Sequence, residues 1–335
     1  MTGATTALLE VTDLVTHFHT PHGTLRAVDG VSFSVQRGET LGIVGESGSG
    51  KSVLARSIIG ILARDGSATT TGRVAFEGRD LLKLSEPELR DVRGKDIAMV
   101  FQDPTSSLHP VKRIGAQIGE VLTRHLGLRG RAAEARSVEL LASVGIAQPA
   151  ERLHHYPHQL SGGMRQRVAI AIALAGEPNL LIADEPTTAL DVTIQAEILD
   201  LLRRQQLMRN MAMILISHDL GVVAGHTDVV AVMYAGQMVE RASTRSLFHD
   251  CRMPYTEALI RSAPRPSDPP HTRLHAISGR PPDMLQPPIG CRFNPRCDDA
   301  TDLCRADQPA LAAADAEGTH LYACWHPIGA RGAGR

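Results

Sequence analysis

Eight residues, Gly45-Glu46-Ser47-Gly48-Ser49-Gly50-Lys51-Ser52, constrain this chain more than any other segment. They follow an apolar run, Thr40 to Val44, and lead into Lys51 to Leu62, where Val53, Leu54, Ile58, Ile61 and Leu62 recur at helical spacing. The reading is a strand, a glycine-rich turn and a helix in series. The pattern G-x-x-x-x-G-K-[ST] suits phosphate, because glycines let backbone N–H groups turn inward around phosphate oxygens. Lys51 would neutralise the β and γ phosphates, Ser52 would place its hydroxyl on Mg2+, and the helix would point its N-terminal dipole at the anion. A turn of this composition can also occur without a ligand, so other segments must decide.

The rest of the chain reads as α/β. Leu8 to Val11, Val28 to Val35 and Thr40 to Val44 look like strands, with Asp29-Gly30 and Arg37-Gly38-Glu39 as breaks between them. Residues 115 to 145 and 164 to 175 look helical, while Leu180 to Ala183 and Met213 to Ser217 are short apolar runs of the kind that fill a buried parallel sheet. After about Pro254 the texture changes: Pro264, Pro266, Pro269, Pro270, Pro281, Pro282, Pro287 and Pro288 crowd a stretch that cannot be a regular helix or central strand. A linker followed by a small cysteine-bearing module is expected there. No internal repeat is visible, which implies one nucleotide unit.

With 335 residues and 43% hydrophobic content the chain can bury a substantial core. A formal net charge of -1 offers no global positive field for nucleic acid or an acidic membrane surface. The longest apolar run, Val168 through Ala175, is cut by Gly176, Glu177, Pro178 and Asn179, well short of the roughly 20 residues that span a bilayer. The opening MTGATTALLEVTDL has neither the basic flank nor the apolar core of a secretion signal, so a cytosolic chain with reduced or metal-bound cysteines is expected.

Leu180-Leu181-Ile182-Ala183-Asp184-Glu185 carries two carboxylates at the end of an apolar strand. Alone, such a pair is often only a solvated strand end or helix start. Downstream of a phosphate loop, Asp184 is instead expected to hold the Mg2+ shell and Glu185 to polarise the attacking water as general base. Leu160-Ser161-Gly162-Gly163-Met164-Arg165-Gln166-Arg167 resembles the LSGGQ-type signature of ABC ATPases, with Met164 where glutamine is commoner. Gln102 in Val100-Phe101-Gln102-Asp103-Pro104 resembles the family's Q-loop, which senses Mg2+ and water. Ala189-Leu190-Asp191 resembles the D-loop, and His218 in Ile216-Ser217-His218-Asp219 the switch histidine that contacts the γ phosphate. Weak signals in one order multiply. Phe18 is a candidate to stack on adenine, although a phenylalanine in an edge strand is as often simple core.

The resemblance implies a P-loop NTPase of the ABC nucleotide-binding type, with a parallel core sheet, an antiparallel β subdomain and a helical subdomain. Two protomers would sandwich two ATP molecules, with Ser161, Gly162 and Gly163 of one facing the γ phosphate held by Lys51 of the other. It implies a nucleotide-binding domain over 1–253 that includes a helical subdomain over about 103–175, with the segment from Gln102 to about Leu141 forming the helical surface that docks on membrane subunits, and an extension with a proline-rich linker over 254–335. Partners would be two transmembrane permease subunits, a second ABC ATPase subunit that is a copy or a related chain, and, indirectly, an extracytoplasmic binding protein, all acting at the cytoplasmic face of the plasma membrane. A nucleic-acid partner is not expected.

Gly290-Cys291-Arg292-Phe293-Asn294-Pro295-Arg296-Cys297, then Cys304, Pro309 and Cys324, resembles the C-terminal extension of dipeptide and oligopeptide importer ATPases. Asp103 to Pro110 leans the same way. Peptides are the expected cargo; nickel, glutathione or antimicrobial-peptide importers share these features, and a soluble ABC ATPase or an exporter subunit remain rivals. Cys291, Cys297, Cys304 and Cys324 are spaced C-x5-C-x6-C-x19-C, unlike common zinc pairs or the compact ferredoxin run. Thiolates gathered in a reduced compartment still suggest a metal: a [4Fe-4S] cluster, zinc and no metal all stay open, and disulfides rank last. Cys251 reads as a bystander thiol.

Overall fold

Every side chain of the strand Thr40–Val44 is buried, and the strand pairs in parallel with Val229–Tyr234, from Leu41 opposite Val229 to Val44 opposite Val232. An apolar run without alternation is what a strand covered on both faces requires. The computed structural model describes residues 7–62, 65–188, 190–263 and 277–329; Ala189 and the prolines at 264, 266, 269 and 270 lie outside them. By internal contacts the chain forms two compact units, residues 1–82 with 215–335, and residues 83–214. The cysteine-bearing residues after 277 fall in the first.

In the first unit, Leu9–Thr20 and Gly23–Val35 form an antiparallel hairpin. Ala68–Phe76 lies on the other side of Leu9–Thr20, and Arg79–Asp80 closes this four-stranded sheet. The expected break at Asp29-Gly30 does not exist, because the strand runs continuously from Gly23 to Val35. Leu14 faces Val31 and Val15 faces Asp29, so Gly30, at φ 78, is the extra residue of a bulge. A glycine absorbs that conformation without ending the pairing. The helix expected over Lys51 to Leu62 is also shorter, Lys51–Ile58; Gly60 turns left-handed at φ 69 just beyond it.

The second sheet portion of this unit runs in the order Ala312–Ala313, Leu321–Tyr322, Gln237–Ser243, Val229–Tyr234, Thr40–Val44. Ala235 and Gly236, both left-handed at φ 48 and φ 81, make the tight turn between the antiparallel strands Val229–Tyr234 and Gln237–Ser243. The C-terminal residues thereby cover an edge that would otherwise present unpaired N–H and C=O groups. Glu240 anchors them. Fully buried, it takes a hydrogen bond from Met253 N–H at 3.1 Å and lies 2.8 Å from His320 Nε2.

One buried cluster unites Val44, Val230, Val232, Tyr234, Leu247, Tyr255, Met284 and Phe293, with Cys291, Cys297 and Cys324 packed against it. Tyr234, Tyr255 and Phe293 form an aromatic triangle, with ring centroids 4.5 Å apart for the tyrosine pair and 5.3 Å from each to Phe293. The cysteine module therefore shares the core of the strand that carries the glycine-rich turn.

In the second unit, Ile97–Val100 pairs in parallel with Leu180–Asp184, Ile97 opposite Leu180 and Val100 opposite Ala183. Helices Pro104–Ser107, Ile114–Leu126, Gly130–Ser143, Pro149–Arg152 and Gly162–Leu174 occupy the stretch between these strands. Gly162–Leu174 buries Val168, Ala169, Ile170, Ala171, Ala173 and Leu174, which explains the uninterrupted apolar run: this helix is covered on nearly all sides. Just beyond its end at Leu174 lies Gly176, where an added Cβ would stand 1.7 Å from Gly94 O. Among the described residues no helix is long and apolar enough to cross a membrane.

Because Phe293 is buried in the shared core and closes the aromatic triangle against both tyrosines, Phe293→Ala is expected to cost about 3–5 kcal/mol. Thermal or denaturant unfolding measures the loss, and limited proteolysis should show the residues after 277 becoming the first to be cut.

Candidate nucleotide site

The glycine-rich turn leaves the buried strand Thr40–Val44 and enters the helix Lys51–Ile58 directly. Two of its glycines are sterically required. A Cβ on Gly45 would stand 2.1 Å from Met233 O, and one on Gly50, at φ 99, would stand 2.1 Å from Ala27 O. Ser47 and Gly48 are exposed at the crest. Lys51 is buried, its ammonium donating to Gly45 O at 2.8 Å and Glu46 O at 2.9 Å, with Ser49 Oγ at 3.4 Å. A buried cation held by the carbonyls of its own loop is a ready partner for stronger acceptors such as phosphate oxygens.

Phe18 is half-buried in the antiparallel sheet, opposite Leu25 on one side and Ala68 on the other. His218 is exposed directly after the strand Ala212–Ser217, and Asp219 behind it caps the helix Leu220–Ala224 through Gly221 N–H at 2.7 Å.

The second unit brings two expected residues together. Since Val100 faces Ala183, two further residues along each parallel strand put Gln102 and Glu185 side by side at the same end of the pair. Gln102 Nε2 donates to Glu185 Oε2 at 3.0 Å, and Thr188 Oγ1 donates to the same oxygen at 3.0 Å. Asp184, fully buried, closes the strand. Glu185 then turns left-handed at φ 46. A non-glycine residue held there stores of order 1 kcal/mol or more.

Ser161 caps the helix Gly162–Leu174, its hydroxyl accepting from Met164 N–H at 3.3 Å. Ser161 and Gly162 are exposed, so a helix N-terminus and a hydroxyl face solvent together, as an anion site needs. Asp191 caps the helix Val192–Arg209 through Ile194 N–H at 3.0 Å; Ala189, before it, is outside the described residues.

Several residues around the turn carry no motif that announces a role. Arg296 forms a fork on the Glu46 carboxylate, Nη1 to Oε2 at 2.6 Å and Nη2 to Oε1 at 2.9 Å. Tyr255 accepts Glu46 N–H on its hydroxyl at 2.9 Å, and burial pushes that phenol up from its ordinary range. Arg292 donates to Ala235 O and Asp29 Oδ2, burial pulling its guanidinium down from its usual value. The arginines stand inside the C-R-F-N-P-R-C run, but spacing cannot say which carboxylate each one meets.

The four late cysteines line one small cavity together with Met253, Phe293, Trp325 and His326. Burial raises the thiols of Cys291 and Cys297, and pushes Cys324 up to about 11. Among the described residues, however, no group of three or more His, Cys, Asp or Glu is arranged to hold a metal ion. The thiols are gathered but not drawn into a ligand set.

A phosphate loop, a strand ending in paired carboxylates, and a serine-capped glycine helix define a phosphate-loop ATPase cassette. The sequence profile of the ABC transporter family matches residues 28–188, and that of the oligopeptide/dipeptide transporter C-terminal region matches residues 239–304. The chain is 48% identical over 318 residues to the dipeptide transport ATP-binding protein of Bacillus subtilis, covering 95% of this chain and 94% of that protein. It is 50% identical over 305 residues to the dipeptide transport ATP-binding protein of Escherichia coli, with 91% and 93% covered. Among solved structures, a dimeric ATP-binding cassette in a post-hydrolysis state bound to ADP and Pi matches at 26% identity and a TM-score of 0.62, over 71% of this chain and 99% of that one. A cassette from Clostridium perfringens that is part of an ABC transporter complex matches at 30% identity and a TM-score of 0.61, over 73% of this chain and 91% of that one. The chain belongs to the ABC transporter ATPases, in the family of dipeptide and oligopeptide transport ATP-binding proteins.

Cys251 stands apart from the thiol cavity, and burial with Glu240 nearby pushes it up to about 12. Its thiolate fraction at pH 8 should be so small that iodoacetamide labels it more than about a hundredfold more slowly than in the denatured chain. Because the folded pKa lies above the unfolded one, this thiol's contribution to stability is complete below about pH 8.5 and declines as pH rises toward 12. Mass spectrometry of the labelled peptide across that range checks both directions.

Proposed function

We propose that this ATPase powers uptake of dipeptides or oligopeptides, bound at the cytoplasmic face of the plasma membrane to two permease subunits and paired with a second ATPase subunit. An extracytoplasmic binding protein would deliver cargo to the permease. The observation that carries the reading is identity near one half with dipeptide transport ATP-binding proteins along almost the whole chain, extension included. The oligopeptide transport ATP-binding protein of Bacillus subtilis, 48% identical over 324 residues, supports it.

In the proposed reaction Gly45, Glu46, Ser47, Gly48, Ser49 and Gly50 wrap the phosphates with backbone N–H groups, and Lys51 exchanges its loop carbonyls for β- and γ-phosphate oxygens. Phe18 stacks on adenine. Ser52, Asp184 and Gln102 are the oxygen donors that would hold Mg2+, a hard, oxygen-seeking cation that would supply charge neutralisation at the phosphates. Glu185 accepts a proton from the attacking water. Its hydrogen bonds from Gln102 and Thr188 hold the carboxylate oriented in the meantime. His218 contacts the γ phosphate. Ser161, Gly162 and Gly163 of the second subunit complete the site across the dimer, with Asp191 at the seam, so hydrolysis requires two cassettes to close.

The thiol cavity is proposed as a structural centre. Four soft donors around one cavity suit a [4Fe-4S] cluster chemically, and the arrangement does not form the ligand set one needs, so the thiols would have to draw together on binding. Iron and sulfide analysis of anaerobically purified protein, wild type against Cys304→Ser, decides it: stoichiometric iron lost in the variant is the supporting result, and none in either removes the cluster.

For the ATPase, Glu185→Gln is expected to lower the hydrolysis rate by about 10²-fold or more while leaving ATP binding intact. Measured with the permease and binding protein reconstituted, wild-type activity should rise with added peptide and the variant's should not. Activity stimulated by nickel and not by peptide would replace the cargo, and activity indifferent to every membrane partner would remove the transporter reading.

A further inference from the structure

We propose that Arg296 is a positioning residue for the phosphate loop, holding it through Glu46 so that the C-terminal module sets the affinity of the cassette for ATP. The inference rests on residues 45–52 being that loop. Glu46 is held from three directions: its N–H by the Tyr255 hydroxyl at 2.9 Å, its carbonyl by Lys51 Nζ at 2.9 Å, and its carboxylate by the Arg296 fork. Arg296 is itself pinned. Its side chain is 3% exposed, Nε donates to Ser278 O at 2.8 Å, and the guanidinium lies 5.8 Å from the Tyr234 ring and 5.9 Å from the Phe293 ring. Every one of these anchors lies in the sheet after the loop or in the residues beyond 254.

Two physical effects then act in the same direction. A turn with glycines at three of its positions is expensive to order, and a clamp on Glu46 prepays part of that entropy. Glu46 is also an anion inside a loop that binds a polyanion. The fork neutralises it, and without Arg296 its carboxylate would repel the triphosphate. The proximity of Glu46 raises the Arg296 guanidinium above its ordinary value, so the cation persists over the working pH range.

The test uses the full purified chain with a fluorescent ATP analogue and magnesium, and the reconstituted transporter for kcat and KM. Arg296→Ala should weaken binding about tenfold, with kcat at saturating ATP within about twofold of wild type. Arg296→Lys, which keeps a charge and loses the fork, should weaken it about threefold. Adding Glu46→Gln to Arg296→Ala should restore affinity to within about threefold of wild type, because the uncompensated carboxylate is gone; a merely structural arginine would show no such rescue. Circular dichroism and thermal unfolding of each variant confirm the fold, and Arg296→Lys with the double variant carries the test should Arg296→Ala not fold. Binding by Arg296→Ala within twofold of wild type, or a double variant no better than the single one, overturns the proposal. Lys51→Ala separates the two levels: it should abolish binding, and if it does not, the loop assignment itself is wrong.

Discussion

The hydrogen-bonded parallel pairing of short, fully buried strands is the constraint on which the rest depends. Thr40–Val44 beside Val229–Tyr234, and Ile97–Val100 beside Leu180–Asp184, have almost no face left for chemistry. Functional groups can therefore emerge only where strands end, and parallel strands that begin in register also end in register. Lys51 follows one such end through the glycine turn, while Gln102 and Glu185 meet at another because Val100 faces Ala183. The left-handed turn at Glu185 is the local strain that this arrangement tolerates at its chemical end.

A second dependency runs the other way along the chain. Residues beyond 277 supply Met284 and Phe293 to the core that contains Val44, and Leu321–Tyr322 covers the edge of Gln237–Ser243. Buried Glu240, Arg292 and Arg296 fix that attachment with directional bonds. Such groups add little net stability compared with apolar packing, but each becomes strongly unfavourable once its partner is removed, so they specify one docking position. A small module with many prolines gains its stability by joining an existing core.

Much of the cassette was legible in the residue pattern. Thr40–Val44 was read to the residue, because a continuous apolar run between turn formers has few alternatives. Leu180–Asp184 and Ala212–Ser217 extend the expected runs by a single residue each. The hairpin was read as broken at Asp29-Gly30 because a glycine in a strand looks like a turn unless its partner strand is known; a bulge is a property of the pair. The helix after the loop ends at Ile58, short of the expected Leu62; Ile61 and Leu62 keep the helical rhythm past Gly60 without being helical. The contact between Gln102 and Glu185, separated by 83 positions, follows from strand register, which no local pattern encodes.

What the sequence determined by itself was the chemistry it offers: a glycine-rich loop, a lysine and serine at its exit, two carboxylates after a buried strand, and a serine followed by a glycine pair. Those are local, since each needs only the identity and spacing of neighbouring residues. Only the tertiary structure decided which distant groups hold that chemistry in place: the register that joins Gln102 to Glu185, the four thiols around one cavity short of a ligand set, and Arg296 on Glu46, 250 positions away. Side-chain pairing across such separations is set by how layers pack, and packing is a property of the whole folded chain.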